Sequence, residues 1–71
     1  MPEYCVNTNA QSGSTDHEVH DLSTDKNCLP APQNRISLGW FASCSGAVTE
    51  AKKYYSDVNG CYHCAYGCHT T

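Results

Sequence analysis

The stretch GCYHCAYGCHTT, residues 60–71, gathers Cys61, Cys64 and Cys68 with His63 and His69, and so holds half of the chain's six cysteines. Thiolate and imidazole are the ligands of zinc-type ions. Cys61-x2-Cys64 has the spacing of a pincer, in which a tight turn brings both sulfurs to one ion and leaves backbone amides close enough to stabilise the negative charge. A tetrahedral site needs two further N or S donors. Upstream the chain offers His17, His20 and Cys28, and within the tail Cys68 and His69 are also available. The same six cysteines could instead be consumed in three disulfides, for which fifteen connectivities exist.

Catalytic uses of these residues fit the sequence less well. A thioredoxin-type Cys-x2-Cys sits at a helix N-terminus after a strand, which lowers the thiol pKa, whereas this pair falls near the end of the sequence. Haem attachment needs His directly after the second cysteine, and Ala65 is there. Iron–sulfur ligation lacks the four-thiol series and its following Pro. Asp16 and Glu18 flank His17 without a recognisable nucleophile, and no separate general base accompanies the thiols. The expectation is a protein that is not an enzyme.

Size explains why a staple is needed. A chain of 71 residues forms one domain, 1–71, and at this size apolar burial alone gives a marginal core. Mean hydropathy is −0.55, and large aliphatic residues are limited to Val6, Val19, Leu22, Leu29, Ile36, Leu38, Val48 and Val58. Four basic against seven acidic residues give a formal net charge of −3. Without a basic stripe to neutralise phosphates, the composition argues against nucleic acid as a partner and leaves a protein partner open. No apolar run approaches a membrane span. The start Met1-Pro2-Glu3-Tyr4 shows neither a charged nor an apolar leader region, so the expected location is cytoplasmic, where reducing conditions favour metal over disulfides.

The elements that must position the ligands can be read along the chain. Tyr4-Cys5-Val6-Asn7 is β-prone, Thr8–Asp16 is a polar loop, and Glu18-Val19-His20 suggests a second strand. The segment from Asp21 to Asn34, with Pro30 and Pro32, cannot run far as helix or central strand. Arg35-Ile36-Ser37-Leu38 alternates as a half-buried strand and leads into Gly39-Trp40-Phe41. In SCSGAVTEAKKYY, residues Cys44, Ala47, Val48, Ala51, Tyr54 and Tyr55 share one helical stripe, with Ser43 or Ser45 as cap and Lys52 and Lys53 near the C-terminal end of the dipole. Asn59-Gly60 supplies the turn that delivers the chain into Cys61. On that stripe Cys44 is expected to be a small buried hydrophobe.

YCVNTNAQS, then HEVH, a cysteine, QNRISLG, AVTEAKKYY and NGCYHC together resemble short bacterial domains related to the metal-binding N-terminal module of the Ada DNA-repair protein. The resemblance implies a zinc site of His20 at a strand end, Cys28 as the second ligand, and Cys61 with Cys64 as the closing pair. His20 and Cys28 are separated by seven residues where the family pattern has three, and Thr24 holds the expected position. The added loop length costs little in closure entropy. Methyl transfer from DNA, an Ada activity, is not implied, because the basic surface is missing.

The resulting expectation is an α+β domain of two or three short antiparallel strands and one helix, stabilised by one Zn bound through His20, Cys28, Cys61 and Cys64. The metal fixes the fold, and the role is structural or interaction-based. The alternative is a secreted scaffold with six paired cysteines. Cys5 and Cys68 are left as a disulfide, part of a second site or free thiols.

Overall fold

The computed structural model describes residues 1–10, 15–24 and 28–69. Four strands form one sheet: β1 (Glu3–Asn7), β2 (His17–Asp21), β3 (Arg35–Trp40) and β4 (Val58–Gly60), in the order β3-β1-β2-β4. Among the described residues there is one α-helix, α1 (Cys44–Ala51), which follows β3. The α+β class is therefore as expected, with four strands rather than two or three. Part of the loop expected over Thr8–Asp16, residues 11–14, and part of the segment Asp21–Asn34, residues 25–27, lie outside the described residues.

The added strand is β4. Asn59-Gly60 reads as a turn from its residue types, yet Val58–Gly60 pairs with β2, with His17 opposite Val58, Glu18 opposite Asn59 and Val19 opposite Gly60. This pairing is parallel, so the sheet is mixed rather than purely antiparallel. Because β3 and β2 each run antiparallel to the central β1, β2, β3 and β4 all point the same way. The helix α1 is the crossover that carries the chain from the β3 edge to the β4 edge, packing across all four strands.

The alternation of β-strands sorts the residues onto two faces. Toward α1 lie Tyr4, Val6, Val19 and Leu38, which with Ala47 and Ala51 form the buried core; Ile36, Phe41, Val48 and Val58 pack around it. Small residues on the helix let it approach the sheet closely. Leu38 enters this core from a bulge: Tyr4 faces Gly39 while Cys5 faces Ser37, which leaves one extra residue on β3. Gly39 holds a φ of 98°, a left-handed conformation that a side chain would oppose.

The helix is shorter than its apolar stripe. It ends at Ala51, Lys52 is its C-cap, and Lys53 pairs with Glu50 at 3.1 Å, while Tyr54 is exposed. Ser43 takes the N-cap position without a capping hydrogen bond and its hydroxyl instead contacts that of Ser45 at 2.9 Å. Cys44 corrects a second expectation: it is half-buried against the core as its stripe position requires, but it is bonded to Cys68 rather than free. The helix stripe encodes burial, and nothing local encodes the partner 24 residues away.

Candidate metal centre

The parallel register of β2 and β4 builds the site. Val19 lies opposite Gly60, so Cys61, the first residue beyond β4, comes alongside His20, which is still paired with Cys5 within β2. Cys61 stays tied to β2 through its N–H, which donates to the Val19 carbonyl at 2.9 Å. From there the chain curls into a hook: Ala65 N–H donates to Cys61 O at 2.9 Å, Cys68 N–H to Ala65 O at 3.0 Å, and His69 Nδ1 to Gly60 O at 3.0 Å. The hook closes so tightly on Gly60 that a Cβ there would come within 2.6 Å of Ala65 O and 2.7 Å of Cys68 Cβ.

Cys28 comes from the segment between β2 and β3. After β2 the chain turns on Asp21, whose side chain accepts from Ser23 N–H at 2.8 Å and whose carbonyl accepts from Thr24 N–H at 3.1 Å. The segment that carries Cys28 is secured further on, where Arg35 Nε donates to Pro30 O at 2.8 Å.

These elements bring His20, Cys28, Cys61 and Cys64 together, with one donor atom of each within 4.8 Å of all the others. The group could hold a metal ion. A tetrahedral ion with bonds of about 2.3 Å to sulfur and about 2.0 Å to nitrogen separates its donors by roughly 3.5–3.8 Å. His20 Nδ1 and Cys64 Sγ already stand 3.5 Å apart. His20 and Cys61 are buried, and Cys28 and Cys64 are half-buried.

Backbone donors address two of the sulfurs. His63 N–H points at Cys61 Sγ and Asp21 N–H at Cys64 Sγ, each at 3.4 Å. Such contacts favour a thiolate. Against them, burial pushes the Cys64 thiol upward, and the neighbouring Cys28 and Cys61 thiols add to this, while the Asp21 amide opposes it. Burial likewise raises Cys28. Cys28 and Cys64 therefore resist ionising unless a cation joins them. Burial, reinforced by Arg35, lowers His20 to about 4 and keeps its imidazole neutral, the form that ligates metal.

The other ring nitrogen of His20 is buried on the side away from Cys64. The histidine is 2 % exposed, and Nε2 has no hydrogen-bond partner. The nearest carboxylate oxygen to it is Glu18 Oε1 at 3.9 Å. Glu18 and His20 lie two apart on β2 and therefore share a face of the sheet.

The other histidines fall elsewhere. His17 sits on the opposite face of β2 from His20, where its ring stacks on Tyr55 with centroids 3.6 Å apart and Nδ1 donates to Asn7 O at 2.9 Å. His63 is exposed, and His69 belongs to the hook backbone. Cys5 is a free, fully buried thiol opposite His20 in the β1–β2 register, and Cys68 is taken by the disulfide with Cys44. Arg35, Glu18 and the Asp21 amide were invisible as site components from residue types alone. Only the alternation HEVH carries a hint, because it sets Glu18 and His20 on one face.

No family model matches this chain, and neither does any curated protein or solved structure. Nothing in those comparisons links it to the Ada module.

Proposed function

We propose that this protein is a small zinc-binding module whose metal fixes the fold, with a structural or interaction role. The observation that carries the reading is the convergence of His20, Cys28, Cys61 and Cys64, four donors from separated parts of the chain, within 4.8 Å. Three thiolates and an imidazole are a donor set suited to Zn²⁺. Four protein ligands complete a tetrahedral shell, as in structural sites, and leave no position for a catalytic water.

His20 is the ligand through Nδ1, which faces Cys64, and Nε2 retains its proton. Cys28, Cys61 and Cys64 bind as thiolates, and the resulting net charge near −1 is offset by the His63 and Asp21 amides and by the Arg35 guanidinium. When bound, the ion supplies cross-linking energy of roughly ten kcal/mol or more, because the unfolded chain has no preformed site. That exceeds the ~2–5 kcal/mol lost on truncating a buried Leu such as Leu38 to Ala. The exposed rings of Trp40, Tyr62 and Tyr66 offer contact area for a protein partner.

The deciding experiment is intact and native mass of purified, non-reduced protein. The expected species has lost two hydrogens to the Cys44–Cys68 disulfide and carries one zinc, and chelator removes both the zinc and the dispersed amide spectrum. Loss of six hydrogens without metal would establish the alternative, a fully disulfide-stapled scaffold.

A further inference from the structure

Two fasteners hold one hook. The residues from Cys61 to His69 carry two of the four clustered donors, Cys61 and Cys64, near their start, and the disulfide from Cys68 to Cys44 near their end. Cys44 is the first residue of α1, so the bond anchors the hook to the crossover helix and, through it, to the sheet. The hook is also held by the backbone bonds already described and by the contacts of His69 Nδ1 with Gly60 O and of Cys64 Sγ with the Asp21 amide, and its outer residues Tyr62, His63, Tyr66 and Gly67 are exposed.

From this arrangement we infer that the Cys44–Cys68 disulfide controls the metal site: its reduction weakens zinc binding, and zinc in turn protects the disulfide. The inference rests on the zinc reading above. An anchored hook presents Cys61 and Cys64 to His20 and Cys28 already in place. A hook anchored at one end must be ordered by the metal itself, and that ordering is subtracted from affinity. Both fasteners restrict the same segment, so each is stronger when the other is present, and thermodynamic linkage requires the two effects to be equal. The pairing also joins two chemistries that favour opposite redox surroundings, since a disulfide persists under oxidising conditions and free zinc-binding thiols under reducing ones. Zinc reconciles them by occupying Cys28, Cys61 and Cys64.

The switching step is thiol–disulfide exchange. Two molecules of a low-molecular-weight thiol each give up one electron and one proton and leave as their own disulfide. Cys44 and Cys68 gain both electrons and both protons as free thiols. The three ligand sulfurs are not oxidised or reduced.

The test has two arms. In the first, zinc affinity is measured by competition with a chromogenic chelator for the oxidised chain and for the double variant Cys44→Ala/Cys68→Ala. In the second, the unmutated chain is equilibrated in glutathione redox buffers with and without zinc, quenched, and the Cys44–Cys68 bond quantified by mass spectrometry. The second arm needs no variant to fold. We expect about ten-fold weaker zinc binding in the variant, within the usual range for coupled sites, and a shift of the same factor in the thiol equilibrium on adding zinc. Equal affinities together with a thiol equilibrium insensitive to zinc overturn this inference and leave the zinc module standing. Failure of the oxidised chain to take up zinc at all overturns both.

Discussion

Glu18 Oε1 lies 3.9 Å from His20 Nε2, the one buried side-chain nitrogen or oxygen without a hydrogen-bond partner among the described residues. The two side chains share a face of β2, and His20 turns its other nitrogen toward Cys64. A carboxylate behind a ligating imidazole fixes its tautomer and raises its basicity. A rotation of Glu18 by less than an ångström or so at its tip completes that contact. Glu18→Ala is therefore expected to weaken zinc binding by about ten-fold or more, with the fold of the loaded protein retained. Chelator competition measures the affinity, and ¹⁵N shifts of the His20 ring report whether Nε2 keeps its proton.

The two histidines of HEVH should behave oppositely. His20→Ala removes a donor and is expected to abolish stoichiometric zinc uptake at micromolar protein. His17→Ala removes the stacking on Tyr55 and the bond to Asn7 O, costing about 1 kcal/mol of stability, but leaves zinc affinity within about two-fold. Parallel metal titrations of the two variants check this, and a similar loss in both would assign the wrong histidine.

Acid should weaken metal binding. Cys28 and Cys64 are both pushed upward without a cation, so loading must displace protons from them. In the metal-free chain His20 makes its own contribution. Its folded value of about 4 lies below the ordinary histidine value of 6.5, so the folded state takes up its proton later than the unfolded one as pH falls. Stability from this group is full above pH 6.5 and declines as pH falls toward 4. Zinc affinity measured from about pH 7.5 to 4.5 should decrease; affinity independent of pH would contradict thiolate ligation.

At the alkaline end the relevant group is Cys5. It is fully buried, and burial, partly opposed by Arg35, raises its thiol from 9.0 to about 11. Its contribution is fully present below pH 9 and is lost as pH rises to about 11. Two units of pKa correspond to roughly 2–3 kcal/mol. Cys5→Ala should flatten this alkaline loss in denaturant titrations while leaving zinc stoichiometry at one.

Gly60 is the tightest point of the hook. A methyl group there would meet Ala65 O, Cys68 Cβ and Cys68 C at 2.6–2.8 Å, two of them backbone atoms that cannot rotate away. Gly60→Ala is expected to cost about 1–3 kcal/mol and to lower zinc affinity, read by thermal unfolding and chelator competition. An unchanged melting temperature would mean that the hook does not close on this residue.

Much of this was legible in the sequence, and the omissions share a cause. The strand around Ile36 declares itself by alternation, those around Val6 and Val19 by short β-prone runs, and α1 by its spacing of Ala47, Val48 and Ala51. His20, Cys28, Cys61 and Cys64 were assembled as a set by resemblance to a metal-binding module, and the structure brings those four together. Missing were β4 and the Cys44–Cys68 bond. Val58-Asn59-Gly60 has the residue types of a turn, and only its neighbour β2 makes it a strand. Cys44 advertises its burial through its helix position, but pairing with Cys68 depends on how the hook folds back. Both are tertiary facts, and both involve the same closing segment.

The ladder between β2 and β4 also dictates timing. Until Val58–Gly60 docks on β2, Cys61 and Cys64 stand apart from His20 and Cys28, and the edge of β2 lacks its neighbour. Pairing β4 with β2 across the intervening chain carries a loop-closure cost that the local contacts of α1 do not. On the zinc reading proposed above, the full set of donors therefore exists only once this ladder has closed, which places metal capture late in folding.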